Sequence, residues 1–419
     1  MSAGVPKLAF FLTFAALGCY FLLGARLLVA AGIPYDEEGG SPFLKLHPGT
    51  YVAAIACALR LCAGLRPLCV CWRLAARDRG LAAAGAAILF CVLYEATLSG
   101  AGGLVMLLDS FLPACLVGIS LADMTPEQAS RLTGYLRFLI LLNATIALGE
   151  MAAHAHLVPS DDPSASPRAE FRPAALYDHP LTGAAATMIG VLLAPPPRLS
   201  TPWRVVWQCV LIAALISFGG RAAIAMTGVA LTVQFCWKAG RYILARRLRP
   251  IDFRMPSLCA FAAIPICWLF STSGMAERLE THSYWDPSAE TRLAQFHILA
   301  QLRPEEVMFG CSRADFIAKL EPIRLAYNVQ AIECFWLVMF VLLGIAGFVV
   351  FVAGMSSLLT WLWHRGDSTG RWMIVSLMLV ASTSNSLAHK SMLLVVLVAA
   401  VLAAAAATRA SASRGVCIT

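Results

Sequence analysis

Four stretches of this chain place charged or titratable side chains beside long apolar segments. They contain Arg172 and His179 in FRPAALYDHP, Arg221 in ISFGGRAAIAM, Arg292 in TRLAQFHILAQLRPEEVMFGCS, and Glu333 in ECFWLVMFVLLGIAGF. A guanidinium group keeps its charge and binds phosphate oxygens in pairs. A carboxylate that is partly removed from water gains proton affinity and can accept a proton from a hydroxyl. Together these residue types suit an anionic substrate, such as a lipid diphosphate, and a general base.

Three of the four stretches also have a purely structural interpretation. Arg172 and His179 precede Pro180 and fit a polar loop before a helix, while Arg221 fits a side chain that snorkels to the membrane interface. Glu333 fits a solvated acid at the mouth of an apolar run. An arginine inside a membrane is nevertheless costly, and such residues have a partner or a function. A shared functional role requires that the four stretches lie on the same side of the membrane, whereas the structural interpretations do not.

The elements that position these residues are predicted to be membrane-spanning helices. Of the 419 residues, 59% are hydrophobic and 13% are charged, and the mean hydropathy is +0.73. Apolar stretches long enough to cross a hydrocarbon core of about 30 Å recur along the whole chain. The alternating pattern of a transmembrane β-barrel is absent from the sequence. We therefore predict an all-α polytopic membrane protein with a single integral membrane domain, residues 1–419.

Twelve transmembrane helices are predicted. Their approximate ranges are 8–32, 49–71, 81–98, 103–122, 136–155, 181–195, 203–217, 219–237, 256–273, 332–361, 371–387 and 390–408. Lysine and arginine cluster in short connections on one side, which the positive-inside rule assigns to the cytoplasm. Both termini are then cytoplasmic, and three longer loops, 33–48, 156–180 and 274–331, face outward. This topology places all four stretches at the outer face, which favours a shared functional role.

The 274–331 loop is predicted to carry an amphipathic helix. Asp286-Pro287 is a suitable start, because aspartate caps a helix and proline fits its first turn. Apolar residues then recur at helical spacing until Pro304 ends the pattern. They are Leu293, Phe296, Leu299 and Leu302. We expect this helix to lie over the outer mouth of the bundle.

Other classes of function find little support in the sequence. The net charge of +8 comes mainly from short loops between apolar runs, which indicates topology rather than nucleic-acid binding. Most of the fourteen cysteines lie inside apolar runs, and Cys69 and Cys71 have poor spacing for a zinc site. The chain has no P-loop, GxSxG or HExxH motif. We therefore predict no metal and no cofactor.

In this order, the four stretches resemble motifs of the O-antigen ligase and Wzy-type polysaccharide polymerase superfamily, most of all its VpsF-like exopolysaccharide polymerase branch. That family has a loop arginine before a glycine–aromatic–x–asparagine–proline element, and then a serine–arginine–glycine element at a helix start. The matching residues here are Arg172 with Tyr177-Asp178-His179-Pro180, Gly219-Gly220-Arg221-Ala222, Arg292 with Phe296, Pro304 and Gly310, and Glu333-Cys334 with Gly344. The resemblance covers roughly residues 165–350.

The resemblance implies an all-helical bundle of the GT-C type that acts at the periplasmic face of the bacterial inner membrane. Members of the family join glycans carried on lipid diphosphates, without a metal. By this analogy, Arg172, Arg221 and Arg292 hold the diphosphate of an undecaprenyl-diphosphate-linked donor. We further predict that His179 and Tyr284 line the sugar site.

The general base is where this chain departs from the family, which has histidine at the position of Glu333. Three possibilities are open: Glu333 replaces the histidine, His282 supplies the base, or the chain is inactive. No glycine follows His282-Ser283 at the expected distance. We therefore favour Glu333 as the group that deprotonates the acceptor hydroxyl.

The sequence thus predicts an exopolysaccharide polymerase, a metal-independent glycosyltransferase. Its expected partners are the undecaprenyl-diphosphate-linked oligosaccharide, the lipid bilayer, and chain-length regulator and export proteins, but not nucleic acid. One alternative is a ligase that passes finished glycan to another acceptor. The other is a flippase for lipid-linked oligosaccharides, which should instead have polar residues near the bilayer midplane and small outer loops.

Overall fold

A computed structural model describes ten ranges of the chain. They are 6–35, 41–62, 75–100, 104–158, 171–193, 195–196, 198–244, 293–327, 332–387 and 389–413. Within these ranges the chain is helical and forms no strand, which confirms the predicted all-α class. The predicted span 256–273 lies outside the described residues.

Fourteen α-helices in the described ranges are labelled here in chain order. They are α1 Lys7–Leu22, α2 Ala25–Ala30, α3 Pro48–Cys62, α4 Arg79–Ser99, α5 Leu112–Leu121, α6 Pro126–Ala153, α7 Pro180–Leu192, α8 Thr201–Ser217, α9 Arg221–Leu244, α10 Pro304–Phe309, α11 Arg313–Tyr327, α12 Phe335–Arg365, α13 Ser368–Ser382 and α14 Leu393–Ser413. A short helix Leu104–Met106 and a π-helical turn Leu107–Phe111 precede α5. The 3-10 helices are Pro42–Lys45, Gln295–Gln301 and Asn385–Leu387.

Three helices are long and apolar enough to cross a membrane: α4, α6 and α12. Shorter apolar helices accompany them in the described ranges. These are Lys7–Leu22, Pro48–Cys62, Leu107–Leu121, Pro180–Leu192, Thr201–Ser217, Arg221–Trp237 and Leu393–Arg409. Length and composition therefore support a membrane protein, while the count of twelve spans and the sidedness stay predictions.

Ion pairs gather the ends of several helices at one end of the bundle. Asp78, just before α4, accepts hydrogen bonds from Arg77 at 2.8 Å and from Arg365 at the end of α12. Asp123, just after α5, pairs with Arg60 near the end of α3 and with Arg77. Arg77 and Arg365, which flank short connections that the sequence assigns to the cytoplasmic side, thus lie close together at this end of the bundle. We call this the ion-pair end.

Helix starts and ends also meet at the opposite end of the bundle, which we call the site end. Near the start of α12, the Trp336 indole N–H donates to Ser382 Oγ at the end of α13, at 2.9 Å. Near the end of α4, the Tyr94 hydroxyl donates to the Phe309 carbonyl of α10, at 2.8 Å. The helices therefore run between two ends with different chemistry.

The alanine-rich C-terminal helix α14 is deeply buried in the bundle along its first eleven residues. Its side chains from Leu393 to Ala403 are all buried, and it packs against α5, α6 and α13. Small side chains allow helix backbones to approach closely in membranes. The alanine-rich helix α14 is therefore a central packing element of the described bundle.

The predicted first span, 8–32, is two helices. The chain leaves helical geometry at Leu23 and Gly24, and α2 then begins with the Ala25 N–H donating to the Asp178 carboxylate. This contact redirects the chain toward the 171–180 stretch. The predicted boundary near Gly219-Gly220 is confirmed, because α8 ends at Ser217 and α9 begins at Arg221.

The sequence predicted an amphipathic helix in the long loop, but the prediction of which face is buried is wrong. After Leu293 and Ala294 the chain forms the tighter 3-10 helix Gln295–Gln301, in which Gln295 and Ile298 are buried. Three of the predicted apolar-face residues are exposed instead: Leu293, Phe296 and Leu299. Pro304 does not simply end this element, because it is the first residue of α10. The proposed start at Asp286-Pro287 lies outside the described residues.

A buried carboxylate joins α10 to α11. Glu306 accepts hydrogen bonds from the Arg303 N–H at 2.7 Å and from Lys319 Nζ at 2.9 Å. Burial alone would raise the pKa of Glu306, but the hydrogen bonds from Arg303 and Lys319 outweigh it and lower the pKa to about 2. The segment over α12 is therefore held by an ionised group.

Helix α12 is interrupted at Gly344, where φ is 59° and ψ is −177°. The turn after α10 crosses the helix at this point, and the Cys311 N–H donates to the Val341 carbonyl at 3.0 Å. A Cβ on Gly344 would lie 2.2 Å from Gly310 N, and a Cβ on Gly310 would lie 2.1 Å from the Leu342 carbonyl oxygen. Two glycines that the sequence places 34 positions apart thus form one backbone crossing.

A Gly344→Ala variant is expected to lower the free energy of unfolding by about 3 kcal/mol or more, because it adds backbone strain to a steric clash. The measurement is the thermal melting and monodisperse yield of detergent-solubilised protein. Gly85→Ala is the matched control, since a Cβ at Gly85 in α4 meets nothing within 4 Å. Alanine there is expected to be neutral or stabilising by up to about 1 kcal/mol. Equal melting of both variants would contradict the crossing.

Candidate active site

Helix α6 fixes the loop that carries Arg172. Glu150 and Asn143 are seven residues apart and therefore share one face of the helix. The buried Glu150 carboxylate accepts from the N–H groups of Ala174 and Ala175, both at 2.8 Å, and Asn143 Oδ1 accepts from Leu176 N–H at 3.2 Å. Ala175 has a φ of 52°, a strained value for alanine. The carboxylate thus holds an unfavourable backbone conformation in place.

A Glu150→Gln variant is expected to loosen this loop, because the amide offers a single acceptor oxygen and directs its own N–H groups toward backbone donors. Each buried donor left unsatisfied costs about 1–3 kcal/mol locally. Hydrogen exchange at Ala174 and Ala175 should accelerate and activity should fall, with the fold retained. Glu127→Gln, an exposed position on the same helix, serves as the control. Unchanged exchange in Glu150→Gln would remove this positioning role.

Arg172 and Arg221 come together across the turn between α8 and α9. Arg172 is half-buried, and a Cβ on Gly219 in that turn would lie 3.5 Å from Arg172 Nε. Arg221 is exposed at the first position of α9. Burial lowers the pKa of the Arg172 guanidinium, and the nearby positive charge of Arg221 lowers it further. The two guanidinium groups therefore form one positive site despite their mutual repulsion.

Glu333 supplies a negative charge to the same site. The carboxylate is half-buried, and its charge opposes the effects of burial and of Arg221 by raising the pKa of Arg172. Gln295 sets its position: the buried Gln295 Oε1 accepts from Glu333 N–H at 2.7 Å and from Cys334 N–H at 3.3 Å. Because Cys334 is the N-cap of α12, this amide also satisfies backbone donors at the helix start.

His179 is a neutral imidazole next to this charged group. It is the N-cap of α7, and its Nδ1 accepts from Leu181 N–H at 3.1 Å, which leaves the proton on Nε2. Part of the side chain is exposed, but desolvation by the surrounding protein is the main cause that lowers the pKa of His179 to about 4. Electrostatic repulsion from His389, Arg172 and Arg26 lowers the pKa further. The Nε2–H group is therefore a hydrogen-bond donor at neutral pH.

Arg26 is a positive residue that the sequence analysis missed. It lies in α2, which Asp178 holds against the 171–179 loop, and its charge contributes to lowering the pKa of His179. Its Nη1 atom is buried and has no hydrogen-bond partner in the described structure. The signal in the sequence was an arginine within the apolar range 8–32, to which we gave no role.

A second polar cluster lies beside the site and was also missed. The buried Asp109 carboxylate accepts from the Tyr35 hydroxyl at 2.6 Å, from His47 N–H at 2.9 Å and from the Thr50 hydroxyl. Lys390 Nζ lies 3.8 Å from the Tyr35 ring centre. A cavity of about 20 Å³, room for roughly one water molecule, lies between this cluster and the 176–178 segment. The hydrogen bonds of Asp109 indicate a structural role.

The remaining predicted site residues, Arg292, Tyr284 and His282, lie outside the described residues. Among the residues that the structure describes, no cluster of histidine, cysteine and carboxylate side chains could hold a metal ion. Arg172, Arg221 and Glu333, from three distant parts of the sequence, are brought together, and His179 adjoins them. This arrangement can bind a phosphate group and remove a proton from a nearby hydroxyl.

Comparison with protein-family models and with curated proteins finds no match for this chain.

Proposed function

We propose that this protein is a membrane-embedded glycosyltransferase, a polysaccharide polymerase that acts on glycans carried by undecaprenyl diphosphate. The observation that carries the proposal is the meeting of Arg172, Arg221 and Glu333. Two arginines held close together repel each other, and a bound anion would relieve that repulsion. Two guanidinium groups with one carboxylate match a diphosphate leaving group and a base.

In the proposed reaction, the growing glycan on undecaprenyl diphosphate is the donor and a hydroxyl of the next lipid-linked repeat unit is the acceptor. The hydroxyl oxygen forms a bond to the anomeric carbon, while the bond from that carbon to the diphosphate breaks. The diphosphate leaves with the electron pair, and Glu333 takes the hydroxyl proton. Attack from the side opposite the leaving group inverts the anomeric centre.

Arg172 and Arg221 would stabilise the charge that develops on the leaving diphosphate. Their mutual repulsion favours this role, because a bound dianion relieves it and each guanidinium can donate two parallel hydrogen bonds. His179 would donate its Nε2–H to a sugar or phosphate oxygen. Arg292 and Tyr284 keep their proposed roles from the sequence, at the diphosphate and the sugar respectively.

We place the site end at the periplasmic face of a bacterial inner membrane. The support is chemical: the ion-pair end holds arginines such as Arg60, Arg77 and Arg365, as cytoplasmic ends do. The site end then faces the compartment into which lipid-linked repeat units are delivered.

A flippase for lipid-linked oligosaccharides is the second candidate. The interruption of α12 at Gly344 and the buried carboxylates of Glu95 and Asp109 are features of transporters. The enzyme is favoured because Asp109 is satisfied by hydrogen bonds and because the charged cluster lies at one end of the bundle.

The test is deletion of the gene followed by analysis of lipid-linked sugars. A polymerase predicts single repeat units that accumulate facing outward. Long chains retained on the lipid would instead indicate a ligase that transfers finished glycan. Single repeats that stay accessible only from the inside would indicate a flippase, and an unchanged lipid-linked pool would overturn all three.

A further inference from the structure

Glu95 is a buried carboxylic acid that the proposed reaction does not use. It lies in α4, one turn before the helix ends at Ser99, and is 1% exposed. Neither of its carboxyl oxygens has a hydrogen bond of good geometry in the described structure, and the polar side chain close to it is the neutral Ser99 hydroxyl one turn further along α4. Glu95 is therefore buried in an apolar span without the contacts that an ionised carboxylate needs.

The other deeply buried carboxylates of the described chain differ from Glu95 in this respect. Each accepts at least three hydrogen bonds, and they are Asp78, Asp109, Glu150 and Glu306. Ionised carboxylates accept such bonds, whereas a lone buried acid avoids the desolvation cost by holding a proton. Glu95 lacks the hydrogen bonds that the other buried carboxylates accept, and we therefore interpret it as a neutral, protonated acid.

The groups that face Glu95 come from its own helix and from the turn that crosses α12. Cys91 and Tyr94 are its neighbours on α4, and Cys311 and Arg313 approach from the crossing turn. The Arg313 N–H donates to Ser99 Oγ at 3.0 Å, but the guanidinium lies over the Phe316 ring, 5.5 Å from its centre. The positive charge of Arg313 thus acts on Glu95, although the two residues form no ion pair in the described structure.

We propose that Glu95 is a proton-binding site, neutral in this conformation, which releases its proton to water when the Arg313 side chain moves from Phe316 to pair with the ionised carboxylate. The ligand is the proton, and the partner group is Arg313. An ionisable residue in a membrane span marks such a site by default. This inference does not depend on the proposed glycosyltransferase activity.

Glu95 lies beside the turn that crosses α12, so a change in its protonation can affect the packing of that turn. The crossing turn that carries Cys311 and Arg313 packs on α12 at Gly344, and α12 begins beside Glu333. Pairing of Arg313 with an ionised Glu95 would draw this turn toward α4. Protonation of Glu95 is therefore linked to the packing that positions the start of α12.

An apolar carbodiimide tests the proposal on the full-length protein in detergent micelles. Dicyclohexylcarbodiimide adds to a protonated carboxyl group; the acid proton passes to a reagent nitrogen, and the adduct rearranges to a stable N-acylurea. Peptide mass spectrometry should find this adduct on Glu95, with a yield that falls from mildly acidic to alkaline pH. A water-soluble carbodiimide should modify exposed Glu127 and leave Glu95 untouched.

Two variants sharpen the result. Glu95→Gln should lose the adduct, and Arg313→Gln should keep labelling at a higher pH than the wild type does, because the ionised acid loses its nearby cation. Glu150, buried but held by hydrogen bonds, is an internal reference that should stay unlabelled by the apolar reagent. Absence of the adduct on Glu95, or labelling that is independent of pH, would overturn the proposal. An Arg313→Gln profile identical to wild type would overturn the role of Arg313.

Discussion

An Arg221→Ala variant is expected to lose polymer synthesis while the protein keeps its normal level and melting behaviour. Arg221 is exposed at the start of α9, so the substitution creates no cavity in the core. Its removal deletes one of two charges that would stabilise the leaving diphosphate. Loss of one such group from a preorganised site lowers the rate by about 10²–10³-fold. The measurement is polymer length and amount in cells, followed by turnover of a lipid-linked substrate in purified protein.

Two further substitutions separate charge from geometry at this position. Arg221→Lys keeps the charge but loses the planar pair of donors, so it should recover part of the activity. Arg324→Ala removes an exposed arginine that, among the described residues, pairs with Glu321 one turn earlier in α11, and this variant should behave as wild type. Wild-type polymer in Arg221→Ala would remove Arg221 from the site.

Arg172 and Arg221 differ in burial, so their substitutions should have different effects. Arg172 is half-buried against the Gly219 turn, and Glu150 supports its loop. Arg172→Ala should therefore cost both substrate binding and local order, whereas Arg221→Ala should cost activity alone. Because the two guanidinium groups repel each other, the double variant should lose less than the sum of the single losses.

The sequence predicted the convergence of the charged residues through topology alone. Arg172, Arg221 and Glu333 each flank an apolar segment, and counting segments places all three at the same membrane face. In the structure these three residues come together at one end of the bundle. A membrane restricts the ends of spanning helices to two faces, so that assigning residues to one face reduces the number of possible neighbours. The assignment of that face to one side of the membrane stays a prediction.

The supporting residues escaped prediction because each depends on a contact between distant segments. Glu150 and Asn143 appeared as isolated polar residues in one apolar span, although their spacing of seven puts them on one helix face. Gly344 is ordinary for a membrane helix until Gly310 crosses it. The exposed stripe of Leu293, Phe296 and Leu299 misled for the opposite reason: periodicity reports an apolar face but not which neighbour covers it.

A Glu333→Gln variant is expected to abolish polymer for a different reason from Arg221→Ala. The amide keeps the size of the side chain and can still accept a hydrogen bond, but it cannot take a proton at neutral pH. Loss of a positioned base lowers the rate by about 10²–10⁴-fold. The backbone contacts of Glu333 with Gln295 do not involve its side chain, so the start of α12 should persist. The measurements are polymer length in cells and kcat and KM in purified protein.

The kinetic signature separates the two variants. Glu333 opposes the positive charge on Arg172, so neutralising it should leave the site more attractive to the donor diphosphate. Glu333→Gln should thus lower kcat without raising KM for the donor, whereas Arg221→Ala should raise KM as well. Glu321→Gln, an exposed acid in α11, is the matched control and should be active.

Replacement of Glu333 by histidine tests the family analogy directly. The resemblance places a histidine at this position, so a Glu333→His variant should recover activity that Glu333→Gln lacks, with a pH profile that follows imidazole rather than carboxylate. Recovery would show that the position, and not the carboxylate itself, defines the base. If Glu333→Gln instead makes polymer of normal length, the base lies elsewhere, and His282→Ala becomes the decisive variant, because His282 is the other residue to which the resemblance assigns this role.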